Sequence, residues 1–242
     1  MGYEFDWSVL LTYKQLLIDG FIMTLKLSII GIFFAFIIGS IMGLARVSKN
    51  FFISLFATYY VEFFRNIPLI VQMFFIYFSF TLTDIFPWLE TFGNSLGLEN
   101  HNEFFSALLA LITYTSTYIA EALRSGIQSL PKGQEEAAKT LGMNYFQTIR
   151  LIIFPQAIKL AWGPITSQFI NLIKNSSLAM TIGVAELTFQ TQEIDSITFR
   201  GFEAATAVTL LYLFLTLATS AIMTLVDKYG LIKTSSTKGG VR

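Results

Sequence analysis

The stretch FIMTLKLSIIGIFFAFIIGSIMGLA, residues 21–45, decides the class of fold. Lys26 is its only charged residue. As a helix it rises about 1.5 Å per residue, enough to cross a hydrocarbon core roughly 30 Å thick with some tilt. Lys26 lies near one end, where its stem reaches the interface. Gly39 and Gly43 have the four-residue spacing that lets two helices approach closely.

The rest of the chain fits this reading. Its 242 residues are 54% hydrophobic and 13% charged, and 25 of them are Phe. An ordinary soluble domain carries about 25% charged residues, so this composition points to an all-α integral membrane protein. Five spans are expected, at about 20–45, 57–82, 104–124, 155–173 and 204–226. The second region, from Phe51 to Leu82, reads either as one bent span or as a lateral helix to Val61 followed by a span from Pro68. Residues 83–103 read as a turn-rich loop, and His101 within it as a surface residue. Residues 1–228 form one transmembrane domain. The end, 229–242, reads as a disordered basic tail. Residues 1–19 lack the basic start and apolar core of a cleavable signal.

Lysines and arginines orient the spans. Arg46 and Lys49 lie between the first two spans, and Arg124, Lys132, Lys139 and Arg150 between the third and fourth. The tail carries Lys228, Lys233, Lys238 and Arg242. The 83–103 loop has Asp84, Glu90, Glu99 and Glu103 and no basic lysine or arginine. With five spans every basic segment falls on one side, which places the N-terminus outside and the C-terminus in the cytoplasm.

Residues 125–154 differ in kind from the spans. Gln134–Leu141 suits a short helix with Glu135 and Glu136 at its positive end. Ala137, Ala138 and Leu141 make a small apolar patch, and Gly142 stops the helix. Met143, Phe146 and Ile149 form a second apolar stripe that docks on a partner or on the chain's own spans. By periodicity alone an amphipathic helix resting on the membrane reads equally well.

Glu136, Ala137, Ala138, Gly142, Ile152 and Pro155 resemble the cytoplasmic-loop signature of the permease subunits of ABC-type importers, with Phe154 where leucine is usual. YIAEALRSGIQSLPKGQEEAAKTLG at 118–142, IFPQAI at 153–158, FRNIPLIVQ at 64–72 and the segment 171–186 are similar to polar amino acid permeases. Asn66-Ile67 and Asn175-Ser176-Ser177-Leu178 look closest to the bacterial glutamate/aspartate permeases.

The resemblance implies a five- or six-span type I importer fold in the bacterial inner membrane. It implies Glu136, Ala137, Ala138, Leu141 and Gly142 as the coupling contact to two cytoplasmic ATPase subunits. ATP and Mg would bind those subunits, not this chain. The other implied partners are a second permease subunit, identical or homologous, and an external solute-binding protein. The cargo would be glutamate or aspartate, with glutamine, histidine or another polar amino acid as the alternative.

Charged residues at membrane depth are functional candidates. Glu62 and Arg65 share a helix face as an ion pair, or Arg65 lines a route for an anion. Lys174, flanked by Asn171, Ser176 and Ser177, meets a carboxylate or snorkels to the interface. If the helix ends near Ile173, Lys174 lies at its outer end, and Gly163-Pro164 permits a break that would bring it deeper. The hydroxyl band Thr113–Tyr118 lines a cavity, with Tyr118 on the route, or packs helices. Glu121 and Arg124 read as structural or as contacts to the 125–154 loop.

An enzyme or scaffold would need a cluster of acid, base or metal ligands at one depth, and the charges are scattered. A self-sufficient secondary transporter usually shows an internal repeat, and none is visible. The chain has no cysteine, no metal cluster and no Gly-Lys step of a phosphate-binding loop. Its lysines and arginines equal its acids, 16 each, so no global basic field draws nucleic acid.

Overall fold

The computed structural model describes residues 4–131 and 133–229. The basic tail from residue 230 onward, and Lys132, lie outside the described residues. The described part is helical throughout. A short α1 (Ser8–Thr12) leads into α2 (Lys14–Arg46), a single rod of 33 residues. Then come α3 (Phe51–Asn66), α4 (Leu69–Ser79), and two short helices, α5 (Leu82–Ile85) and α6 (Trp88–Ser95), in the expected loop. The long α7 (His101–Gln128) precedes α8 (Gly133–Thr140) and α9 (Tyr145–Thr148). A π-turn at Ile149–Ile153 runs into α10 (Phe154–Asn175). A 3-10 turn at Ser176–Ile182 leads to α11 (Leu187–Thr198) and α12 (Gly201–Lys228).

Helix α7 is the axis of the bundle, and its apolar window is the most buried. It runs parallel to α2, because Gly39 lies on Ser116 and Ile119 while Gly43 lies on Ala120 and Leu123. A Cβ at Gly39 would stand 2.7 Å from Ile119 Cβ, and one at Gly43 2.9 Å from the Ala120 carbonyl. The two glycines therefore let backbone meet backbone, the contact their spacing allowed. Gly126 meets the Ala157 carbonyl in the same way, while Leu108 and Leu172 both approach Gly31, so α10 runs antiparallel to α7. Trp162 Nε1 donates to the Met223 carbonyl at 3.4 Å, joining α10 to α12.

Three helices, α2, α7 and α12, are long and apolar enough to cross a membrane. The α3–α4 pair makes a fourth if counted as one span bent by 101°. Pro68 causes the bend: it lacks an N–H and holds Ile67 in extended geometry. The buried Gln72 then satisfies the freed carbonyls, donating through Nε2 to Phe64 at 2.6 Å and to Ile67 at 2.9 Å. Residues 51–82 form two helices with the break at 67–68 rather than at Val61.

Helix α10 passes Gly163-Pro164 unbroken, so the permitted break does not occur. Gln156, Lys159, Ser167, Asn171 and Lys174 distribute polar side chains along its length. His101, expected at the surface, is half-buried. Its ring packs on Gly93 and its Nε2 is shut from solvent, because the α5–α6 segment folds over the start of α7. Glu186 is buried and caps α11, accepting from the Thr188 and Phe189 amides at 2.9 and 3.0 Å.

Candidate functional site

The loop 125–154 folds as its sequence suggests. Helix α8 carries Glu135 and Glu136 in its first turn and Lys139 in its last. It ends in a Schellman turn: the Met143 amide donates to the Ala138 carbonyl at 3.1 Å and the Gly142 amide to Lys139 at 2.9 Å. Gly142 has φ +78, which a side chain disfavours. Asn144 then caps α9 through a reciprocal capping box with Gln147. From Tyr145 to Asn175 the chain stays helical through the π-turn. One short turn thus separates α8 from a long rod.

The patch proposed from Ala137, Ala138 and Leu141 is divided by the fold. Ala138 is buried against the chain's own body, while Glu136, Ala137 and Leu141 face outward, Leu141 at 80% exposure. Phe146 is 68% exposed beside them. Met143 and Ile149 turn the other way and line a cavity of about 360 Å³ under α8, together with Val47, Ile127, Pro131 and Ile153. An outward face with exposed Leu and Phe next to carboxylates suits a protein partner.

Helix α8 is moored to the bundle by Lys49, which reaches Glu135 at 2.7 Å and stands over the Tyr145 ring at 5.6 Å. Lys139 meets the same carboxylate at 2.9 Å. The hydrogen bond from Lys49, with Lys139 behind it, holds the Glu135 carboxyl below its ordinary range, and Glu135 in turn raises the Lys49 ammonium. The carboxylate contribution is present above the unfolded Glu value of about 4.3 and is lost as pH falls through the lower folded value. The lysine contribution is present below about 10.4 and is lost as pH rises through the higher folded value. The mobility of a spin label at Thr140 is therefore expected to stay flat between about pH 5 and pH 9 and to rise below about pH 4. A transition centred near neutral pH would contradict this mooring.

Glu62 and Arg65 pair as their spacing suggests, at 3.1 Å, within a larger network. Glu121 is its hub. It accepts from Arg46 at 2.6 Å and from Arg124, and Arg65 stands 3.8 Å away. Arg46 also reaches Glu62 at 3.3 Å. The ends of α2 and α3 are thereby pinned to α7, and the Tyr60 hydroxyl adds a bond to Ser116 at 2.8 Å. The side chain of Arg46 is only 11% exposed. Glu121→Ala strands it without its closest partner and is expected to destabilise by about 1–3 kcal/mol, less than a fully buried pair because the other members reach solvent. Thermal unfolding in mild detergent measures this, and a Glu121→Ala melting temperature equal to that of the wild type would refute it.

The remaining pathway candidates are not all brought together. Asn171 and Lys174 share the exposed face of α10 with Gly163, Pro164 and Ser167. Lys174 sits in the last turn of α10. Ser176 is turned inward and donates to the Ile173 carbonyl at 2.7 Å; Ser177 donates to the Lys174 carbonyl at 2.7 Å. On α7 the Tyr118 hydroxyl donates to Tyr114 at 3.0 Å. Thr113, Ser116 and Thr117 bond back to carbonyls of their own helix. Sequence reasoning missed Lys49 as a mooring, Arg46 as a network member and Gln72 at the bend. Only their charge or amide stood out in apolar surroundings.

The sequence pattern of the family described as "Binding-protein-dependent transport system inner membrane component" matches residues 16–229. The glutamate/aspartate import permease protein GltJ of Escherichia coli strain K12 is 35% identical over 239 residues, covering 94% of this chain and 96% of that protein. The glutamine transport system permease protein GlnP of the same strain is 36% identical over 220 residues, 91% of this chain and 95% of that one. A crystal structure of an amino acid ABC transporter with histidines superposes with a TM-score of 0.77 at 34% identity, covering 94% of this chain and all of that one. The MetNI methionine ABC transporter, at 19% identity and TM-score 0.71, shares the fold.

Proposed function

The chain belongs to the inner membrane components of binding-protein-dependent transport systems, and on that footing we propose that it is the permease subunit of a bacterial ATP-driven importer of glutamate and aspartate. The observation that carries this reading is the outward face of α8, with Glu136, Ala137 and Leu141 exposed and Gly142 at φ +78 joining it to the α9–α10 rod. An ATPase subunit pressing on that face would move α10. ATP and Mg belong to that partner, and this chain performs no chemistry of its own. The ion network around Glu121 would keep α2, α3 and α7 together as the body against which α10 moves.

In this reading the chain makes five crossings: α2, the bent α3–α4 pair, α7, α10 and α12, with the N-terminus outside. The alternating course of these rods and the basic residues at one end support it. The unpartnered polar face of α10 (Ser167, Asn171 and Lys174) would meet a second permease subunit and line the route between the two. An external solute-binding protein would deliver the cargo. Lys174, at the outer end, suits the first encounter with a carboxylate, and Arg65 its passage toward the inner end.

A second reading keeps this mechanism and makes glutamine the cargo, supported by the glutamine permease relative at 36% identity. Uptake competition separates the two. In vesicles holding the chain and its co-purifying subunits, excess unlabelled aspartate is expected to cut labelled glutamate uptake at least tenfold, and glutamine to leave it unchanged. The reverse pattern would assign the cargo to the second reading. Recovery of the chain without an ATPase after mild detergent purification would overturn both.

A further inference from the structure

The rod from α9 into α10 is not uniform. At Ile149–Ile153 it loosens into a π-turn, closed by the Phe154 amide donating to the Ile149 carbonyl five residues back. Pro155 follows in the first turn of α10. It has no N–H for the Leu151 carbonyl, and in a regular α-helix its ring would crowd that carbonyl, so the wider turn makes room for it. The turn is a joint in the rod. Beneath it lies the cavity of about 360 Å³ that Ile149, Ile153, Met143 and Thr148 help to line. The joint is therefore not held by close packing from below, and a push on α8 meets a soft point before it reaches α10.

One side chain spans that joint. Gln156, half-buried in the first turn of α10, donates through Nε2 to the Ile152 carbonyl inside the π-turn at 2.9 Å. The same nitrogen donates to Gln134 Oε1 at 3.3 Å. Gln134 lies in the first turn of α8, beside the Glu135 that Lys49 moors. An amide nitrogen carries two N–H groups, so one can hold the π-turn while the other holds α8. We propose that Gln156 is a positioning residue for transport: a brace that joins α8 directly to α10 and stiffens the joint made by Pro155, so that movement of α8 reaches the long helix. This rests on the reading of α8 as the ATPase contact and adds to it how the push is carried. Gln156 touches neither cargo nor the outward face of α8. Its whole effect runs through the two bonds it donates.

The test uses the full chain with its co-purifying subunits in vesicles. Gln156→Leu keeps the bulk and loses the amide. Its uptake per ATP hydrolysed is expected to fall about fivefold, the size of one net hydrogen bond. The cargo concentration for half-maximal uptake, the melting temperature and the recovery of the ATPase should stay at wild-type values. Gln156→Glu has the length without the N–H groups and should behave as Gln156→Leu, whereas Gln134→Glu keeps the acceptor oxygen and should retain wild-type uptake. Gln134→Leu should repeat part of the loss and add nothing to Gln156→Leu. Spin labels at the exposed Thr140 and Leu160 straddle the joint. Their distance distribution should broaden in Gln156→Leu, and that of a pair at Leu160 and Leu213, which crosses no joint, should not. Wild-type uptake per ATP in Gln156→Leu overturns the proposal, as does an unchanged Thr140–Leu160 distribution. The label result needs no transport. If no ATPase co-purified, the reading of α8 would fail while the brace across the joint would still be measured.

Discussion

Deleting Glu136–Gly142 is expected to reduce substrate uptake at least 100-fold, to background, and to cut stimulated ATP hydrolysis to its basal rate, while the chain still inserts and keeps its melting temperature within a few degrees. The separation follows from where these residues lie. Most of α8 is exposed, and among its side chains only Ala138 is buried, so the bundle loses little packing. What is lost is the outward face and the turn that joins it to α9. A milder version of the same experiment uses Gly142→Val. Valine at φ +78 costs about 1–3 kcal/mol of local strain, enough to unwind the Schellman turn and detach α8 from the α9–α10 rod. Uptake should fall with it, and the melting temperature of the bundle should not. Wild-type uptake by the deletion variant would falsify the role given to this loop.

Gly39→Leu is expected to have the opposite profile, with the structure failing first. Its Cβ would stand 2.7 Å from Ile119 Cβ and 2.8 Å from the Ser116 carbonyl, and neither neighbour is the free end of a side chain. The two rods must separate to admit the side chain. Overpacking of this kind costs typically 1–3 kcal/mol and more when backbones are forced apart. The yield of folded protein in mild detergent should drop about tenfold. Gly133→Ala is the matched control: no atom lies within 4 Å of the added methyl, and the melting temperature should not change. Equal yields of Gly39→Leu and wild type would show that α2 and α7 are not packed as described.

Much of the architecture was legible in the chain. Phe21–Ala45 lies wholly within α2, the signature around Glu136 and Gly142 forms a helix and a left-handed stop, and Glu62 pairs with Arg65 three residues on. These features are local. A helix length, a cap and an i,i+3 pair depend on residues within a turn or two of each other. The places where reading was incomplete are all non-local. Ala138 joins Ala137 in any helical projection, yet the bundle covers one and leaves the other bare. His101 sits in a polar stretch, yet a glycine eight residues earlier in the chain leaves a recess for its ring.

The sequence by itself determined an apolar helical membrane bundle and the loop that matches a transport family. The tertiary structure alone decided which small residues bring backbones together, that Glu121 gathers three arginines from three helices, and which face of α8 is left for a partner. The physical reason is the range of the interactions. Hydrophobic periodicity and capping act within a few residues, whereas close packing and ion networks join residues far apart in the chain, 75 positions for Arg46 and Glu121 and 86 for Lys49 and Glu135, and exist only once the helices have met.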